Sequence, residues 1–205
     1  MSVTVYKNDL PLEVKNKLLK ERNIISMDTE TNGLNPIEND LLIIQIRAGD
    51  SYYIIQFNKE YRPANLLSVL ENENIKKIFH HAVFDVRFLM NHLVTNKVNN
   101  IICTKIAAKL LFGEEGKNSL KDLIEEFLNI KLDKGERLSD WSKENLSDKQ
   151  IEYAINDVRY LKEIWEVMEE KLKKEDLLLL AEECFNFIPF ISRVENMNIK
   201  NIFKY

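Results

Sequence analysis

Cysteine, glycine and proline are scarce in this chain of 205 residues, which contains two, five and four of them. Cys103 and Cys184 stand singly in apolar surroundings. This pattern favours buried free thiols in a reducing compartment over a disulfide framework or a zinc site. The chain also shows no internal repeat and no low-complexity linker. We therefore expect a single domain over residues 1–205, large enough to bury a sizeable core.

Long apolar runs and an excess of positive charge are also missing. No run reaches the length needed to cross a bilayer, so we expect no membrane partner. The first residues, MSVTVYKNDLPLEV, lack the basic stretch and apolar core of a secretory signal, and we expect a cytoplasmic protein. The formal net charge of −4 argues against a protein that grips a long duplex. Short nucleic acids stay compatible with this charge, because divalent cations and a few basic residues can bind them.

Short runs rich in Ile, Leu and aromatic residues predict strands, mainly in the first half of the chain. These runs cover residues 23–28, 41–48, 52–57, 76–80 and 100–103. Gly49-Asp50 predicts a tight hairpin between the second and third runs. The first three strands are therefore expected to form an antiparallel meander.

From about residue 82 the apolar spacing becomes helical. The predicted helices cover residues 63–72, 83–92, 104–111, 119–128, 147–173 and 175–187. A meander followed by alternating strands and helices predicts an α/β domain, with a mixed five-stranded sheet flanked by helices. The helical tail, about 175–205, carries apolar residues that we expect to pack on the domain or on a neighbouring subunit.

Acidic residues stand at three points where strands and helices can bring them together. Asp28 and Glu30 end the first predicted strand, where a spacing of two places both carboxylates on one side. Asp85 lies in the first turn of the helix after a later strand. Tyr153 and Asp157 are one helical turn apart on the long helix and share a face. Such an arrangement suits a shared metal ion.

Each of these segments also has an ordinary structural explanation. A pair of acids two residues apart occurs often by chance. Asp85 can serve as a helix-dipole partner worth roughly 0.3–1 kcal/mol, and Tyr153 can be a core residue above a surface Asp157. The order, the setting and the joint content of the three segments favour the functional interpretation.

The three segments resemble the Exo I, II and III motifs of the tyrosine-type four-carboxylate exonucleases, which include RNase D and polymerase proofreading domains. The histidine type has a His five residues before the last Asp, where this chain has Glu152. Within the tyrosine type, the chain resembles the nano-RNase C family nearly end to end. The similar segments are MDTETNGL, IFHHAVFD, CTKIAAKL, SLKDL, SDW, QIEYAINDVRYL and CFNFIPF.

This resemblance implies an RNase H-like fold of the DnaQ type and a phosphodiester hydrolase that uses two divalent cations, Mg²⁺ or Mn²⁺. Asp28 would bridge both cations. Glu30 and Asp157 would complete the water-activating site, and Asp85 would support the second. Tyr153 would orient the attacking water, a contribution on the order of 10²–10⁴ in rate.

The resemblance also implies a set of residues that contact the substrate. They are Thr31, Leu34, His80, His81, Lys105 and Trp141. Thr31 would touch the terminal ribose and Leu34 would wedge beside the last base, although Leu34 is equally well explained as a loop anchor. Trp141 would stack on a base, worth roughly 1–3 kcal/mol, with a buried core position as the open alternative. Lys109 and Arg137 are further candidates for phosphate contacts.

The resulting hypothesis is a 3′-5′ exoribonuclease that hydrolyses single-stranded dinucleotides and other very short RNA to nucleoside monophosphates. The resemblance implies a homo-oligomer, with an octamer as the candidate assembly. His81 stands where RNase D has Asn, which disfavours the tRNA-trimming role of that enzyme. The alternatives are RNase D-like processing of longer RNA, a DNA exonuclease that accepts short DNA, and a catalytically silent RNA-binding module.

Overall fold

A computed structural model describes residues 2–21, 24–131, 139–199 and 202–203. The strands in these ranges are β1 (Ser2–Lys7), β2 (Ile24–Thr31), β3 (Leu41–Ala48), β4 (Ser51–Gln56), β5 (Lys76–Phe79) and β6 (Ile101–Cys103). The helices are α1 (Leu12–Glu21), α2 (Ala64–Leu70), α3 (Ala82–His92), α4 (Thr104–Phe112), α5 (Leu120–Leu128), α6 (Asp148–Arg159), α7 (Leu161–Lys174) and α8 (Leu178–Asn196). The expected α/β class is therefore confirmed.

The strands form one mixed sheet in the order β1-β4-β3-β2-β5-β6. The antiparallel meander of β2, β3 and β4 is as predicted, and β5 and β6 add to β2 in parallel. The expected number of five strands was wrong, because β1 pairs in parallel with β4 as a sixth strand. Val3 and Val5 of β1 alternate with polar residues but are 37% and 38% exposed. An edge strand buries little, so its apolar signal is short.

The predicted long helix over 147–173 was also wrong, since it is two helices. α6 ends at Arg159, α7 begins at Leu161, and Tyr160 between them lies at φ −110°, ψ −1°. Apolar residues keep helical spacing across this break, so periodicity alone could not reveal it. The last predicted helix is longer than expected, because α8 runs through Pro189 to Asn196 and packs against α3.

The two faces of the sheet bury different sets of side chains. Met27 of β2 belongs to the main core, which extends from Leu10 to Ile188. Ile43 of β3 belongs to a smaller cluster with Ile54, covered by side chains of the α6 segment. Successive residues of a strand point to opposite faces. The neighbours of Met27 on β2 therefore point towards α6.

No helix in the described ranges is long and apolar enough to cross a membrane. Cys103 is buried and Cys184 is half-buried, and both are free thiols as expected.

Candidate active site

β2 supplies the first two acidic side chains. Asp28 pairs across the sheet with Gln45 of β3, and Glu30 pairs with Ile43. Residues directly opposite each other in an antiparallel pair share a face. Both carboxylates therefore stand on the face that α6 covers, as the two-residue spacing predicted. The β2–β3 register is irregular between Glu30 and Thr31, where the chain leaves the sheet.

α6 supplies Asp157 and Tyr153 to the same face. The helix begins with a complete capping box, in which the Ser147 hydroxyl accepts from the Gln150 backbone and the Gln150 side chain accepts in return. Asp157 meets the β2 acids at the other end of the helix. One carboxylate oxygen each from Asp28, Glu30 and Asp157 lie within 4.8 Å of one another.

Asp85 reaches the site from the first turn of α3 and is 2% exposed. Its Oδ1 accepts a hydrogen bond of 2.7 Å from the Thr29 hydroxyl. Asp85 does not belong to the three-carboxylate cluster, yet its charge acts strongly on Asp28. The structure thus brings the four predicted acids to one place, with Asp85 outside the group of three.

Repulsion and burial change how these acids titrate. Burial, followed by the charges of Asp85, Asp157 and Glu30, raises the pKa of Asp28 well above its usual range. Burial raises the pKa of Asp85 to about 7, although the Thr29 hydrogen bond works in the opposite direction. Without a counter-charge, the group resists carrying all its negative charges at neutral pH.

A divalent cation fits this donor set. The cluster offers three carboxylate oxygens at a spacing that one ion can bridge, and such hard ligands suit Mg²⁺ or Mn²⁺. The Gln45 side chain, which is the cross-strand neighbour of Asp28, is 1% exposed, and neither its Oε1 nor its Nε2 has a hydrogen-bond partner. The site therefore combines an excess of negative charge with an unsatisfied amide, as a cation-binding centre would.

The loop after β2 carries two predicted substrate contacts. Thr31 is half-buried and donates a hydrogen bond of 2.6 Å to the Gly33 carbonyl. Leu34 is 80% exposed. A loop anchor would be buried, so this exposure favours the wedge role over the alternative of an anchor.

The two histidines before α3 differ in their surroundings. His80 Nδ1 lies 2.9 Å from the Thr104 hydroxyl. Burial and the charges of Lys105 and His81 lower the pKa of His80 to about 3, so the ring is neutral at pH 7. His81 is exposed, stacks on Phe84 at 6.3 Å, and has a left-handed backbone with φ of 76°. Burial and the charge of Lys105, which is half-buried in the first turn of α4, also lower the pKa of the His81 ring.

Trp141 is 4% exposed and packs on Tyr153, with ring centroids 5.9 Å apart. This burial favours the core alternative over stacking on a base. Lys109 forms an ion pair of 3.1 Å with Glu114, while Arg137 lies outside the described residues.

Thr29 and Gln45 adjoin the acidic residues, Arg47 lies on the same face of the sheet as Gln45, and none of the three was singled out from the sequence. Thr29 alternates with the two β2 acids, so strand periodicity places it on the opposite face, although it contacts Asp85. Gln45 and Arg47 sit in an otherwise apolar strand, LLIIQIRA. Polar residues inside such an apolar strand are unusual, and this was the signal from which a role for them could have been predicted.

Sequence comparison finds relatives among nucleases. Residues 2–173 match a protein family described as 3′-5′ exonuclease. Ribonuclease D of Sphingobium indicum is 32% identical over 155 residues, which cover 73% of this chain and 39% of the relative. Ribonuclease D of Zymomonas mobilis is 33% identical over 159 residues, covering 76% and 40%. The chain spans about two fifths of the length of these curated relatives.

Among solved structures, NrnC of Brucella melitensis has a TM-score of 0.91 and 34% identity to this chain, with 100% of each chain covered. The same protein has also been solved with bound Mg²⁺ and bound to pGG. RNase D of Escherichia coli shares the fold, with a TM-score of 0.78 and 22% identity over 94% of this chain and 51% of that chain. The similarity covers every segment that carries the acidic cluster.

The raised pKa of Asp85 predicts an unusual pH dependence for the metal-free protein. An unfolded Asp titrates near pH 4, roughly three units below the folded value. The folded state therefore holds the proton more tightly, and the free energy of unfolding falls as the pH rises from about 4 to about 7. Urea unfolding in EDTA should show this loss in the wild type and a smaller loss in Asp85→Asn. Parallel profiles for the two proteins would contradict the titration of Asp85.

Divalent cations should stabilise the folded protein by relieving the same repulsion. At pH 8, Mn²⁺ at a hundredfold excess over its Kd should add about 2.7 kcal/mol to the unfolding free energy. Asp28→Asn should abolish most of this gain in thermal unfolding. Asp176→Asn is the matched control, because Asp176 is an exposed acid with φ of 57°, a conformation that Asn tolerates. An equal loss in both variants would rule out the proposed cation site.

Proposed function

We propose, from the premise that this chain belongs to the 3′-5′ exonuclease family, that it hydrolyses very short RNA to nucleoside monophosphates. The observation that carries the chemistry is the convergence of Asp28, Glu30 and Asp157 within 4.8 Å. The preference for dinucleotides is supported by the similarity over both full chains to Brucella NrnC, which has been solved bound to pGG.

Four carboxylates would share the work of binding two cations. Asp28 is the common neighbour of the other three acids, which suits the bridging role. Glu30 and Asp157 would complete the first site, and Asp85 would support the second. Two divalent cations, when bound, supply an activated water and neutralise negative charge on the phosphate.

Tyr153 is proposed to orient the attacking water, as in the tyrosine-type enzymes. Its ring is held from one side by Trp141, and it lies one turn before Asp157 on the rigid helix α6. An ordinary phenol, with a pKa near 10, is a weak base at neutral pH. Its contribution is therefore the alignment of the water with the scissile phosphate, rather than removal of a proton.

The surroundings of the acids suit a short, single-stranded substrate. The exposed Leu34 side chain can wedge beside the last base, and Thr31, three residues before it, can contact the terminal ribose. His81 and Lys105 lie together near the start of α3, where they can contact a phosphate.

We propose that the C-terminal tail contacts other copies of this chain in a homo-oligomer. Phe187 and Phe190 on α8 stack on each other yet are 40% and 59% exposed. Phe203 packs on Phe187 and is 68% exposed. Large exposed apolar groups mark contact surfaces. We therefore propose one domain over residues 1–205 in a cytoplasmic homo-oligomer, with the octamer as the candidate by family resemblance.

A second candidate function is the trimming of longer RNA. Its support is the 32% and 33% identity to two Ribonuclease D proteins, although the chain spans only part of their length. A DNA exonuclease acting through the same acids is a further outcome for the same assay. The converging carboxylates argue against a catalytically silent RNA-binding module, since such a module gains nothing from their repulsion.

Cleavage rates should depend strongly on substrate length. With Mn²⁺ and end-labelled RNAs of two to about twenty nucleotides, dinucleotides should be hydrolysed fastest, because the proposed contacts of Leu34 and Thr31 are with the terminal nucleotide alone. A DNA dinucleotide in parallel measures the sugar preference. Asp28→Asn should be inactive on every substrate, while the control Asp176→Asn should match the wild type. Equal trimming of all lengths would instead support the Ribonuclease D-like function.

Tyr153→Phe tests the tyrosine-type mechanism, because it removes the hydroxyl and keeps the ring against Trp141. The turnover rate should fall by on the order of 10²–10⁴, with little change in Mn²⁺ binding measured by calorimetry. Tyr61→Phe is the matched control, since Tyr61 is an exposed tyrosine outside the site. Full activity of Tyr153→Phe would remove the phenol from the mechanism.

A further inference from the structure

We propose that Arg47 and Glu163 form a positioning pair that sets the place of the Asp157 carboxylate in the metal-binding cluster. The inference rests on the proposed function, because it takes Asp157 to be a metal ligand. Arg47 lies on β3 and Glu163 in the first turn of α7, so neither residue belongs to the cluster itself.

The pair holds the junction between α6 and α7. The last carbonyl groups of a helix have no partner within the helix. Arg47 Nη1 donates a hydrogen bond to the carbonyl of Arg159, the final residue of α6. Tyr160 separates the helices, and α7 begins without a side-chain cap. Arg47 therefore supplies a hydrogen-bond donor to the last turn of α6. Its positive charge also lies at the C-terminal end of that helix, where a cation is favourable.

All three nitrogens of the Arg47 guanidinium donate hydrogen bonds. Nη1 and Nη2 each donate to a Glu163 carboxylate oxygen at 2.6 Å, and Nε donates to the Gly49 carbonyl at 3.1 Å. The Arg47 side chain is 13% exposed and that of Glu163 is 39% exposed. Hydrogen bonding and charge attraction to Arg47 lower the pKa of Glu163, although burial opposes this. A bidentate pair fixes direction as well as distance, which a lysine cannot reproduce.

The Arg47–Glu163 pair and the metal-binding cluster are linked through the same two strands, β2 and β3. Arg47 pairs across the sheet with Ser26 of β2, and Gln45 pairs with Asp28. The same two strands therefore carry Asp28 and the group that grips α6. Asp157 lies two residues before Arg159, in the gripped last turn. Arg47 thus fixes the separation of Asp28 and Asp157 against their mutual repulsion.

Glu163→Gln tests this role by weakening the grip on the helix junction without touching the cluster. Glu195→Gln is its matched control, because Glu195 pairs with Arg87 at 3.2 Å and its side chain is 32% exposed. Calorimetry with Mn²⁺ should show roughly tenfold weaker binding for Glu163→Gln, as for losses of outer-shell partners in general. Glu195→Gln should bind as the wild type does. Activity of Glu163→Gln should largely recover at saturating Mn²⁺.

Arg47→Lys provides a second variant, which keeps the charge and loses the fork. Arg47→Lys should also weaken Mn²⁺ binding. Thermal unfolding of each variant shows how much of the loss in Mn²⁺ affinity comes from lower stability of the fold. Wild-type Mn²⁺ affinity in both Glu163→Gln and Arg47→Lys, or equal losses in Glu163→Gln and Glu195→Gln, would overturn the proposal. Asp157→Asn distinguishes a failure of the positioning role from a failure of the metal site. Wild-type Mn²⁺ affinity in that variant would overturn the metal site itself.

Discussion

Mutual repulsion of the carboxylates around Asp28 is the constraint on which this site depends. Two such charges about 4 Å apart repel by roughly 4 kcal/mol at an effective dielectric of 20. Burial is the larger cause of the raised pKa values of Asp28 and Asp85, and the repulsion between the carboxylates raises both further. A cation turns the same geometry into an attraction, so the protein must hold the acids together until the cation arrives.

The fold meets this demand by anchoring each acid to a different rigid element. Asp28 and Glu30 extend from β2, which has a strand on both sides. Asp85 is held by the Thr29 hydroxyl at the start of α3. Asp157 lies near the end of α6, which Ser147 caps at one terminus and Arg47 grips at the other. Each element is held in the fold by its own packing, and the position of each acidic side chain is set by the element that carries it.

Much of this arrangement could be predicted from the sequence, because periodicity reports faces and spacing. The meander, the shared side of Asp28 and Glu30, and the shared face of Tyr153 and Asp157 follow from strand and helix geometry. The break at Tyr160 could not be predicted, since apolar spacing continues across it. The edge strand β1 was missed because it buries so little.

Contacts between distant residues were the least predictable feature. The hydrogen bond from Thr29 to Asp85 links positions 56 residues apart in the chain and runs against simple strand alternation. The pairing of Arg47 with Glu163 depends on where α6 ends, which periodicity did not show. Burial of Trp141 was undecided for a related reason, since an indole serves equally well as a core residue or a stacking surface.

The most direct test of the account is the anomalous scattering of Mn²⁺ in crystals of the wild-type protein. A strong peak is expected within coordination distance of Asp28, Glu30 and Asp157, with the Asp85 carboxylate facing a second position beside Asp28. A crystal with Mn²⁺ bound elsewhere and the three carboxylates uncoordinated would contradict it.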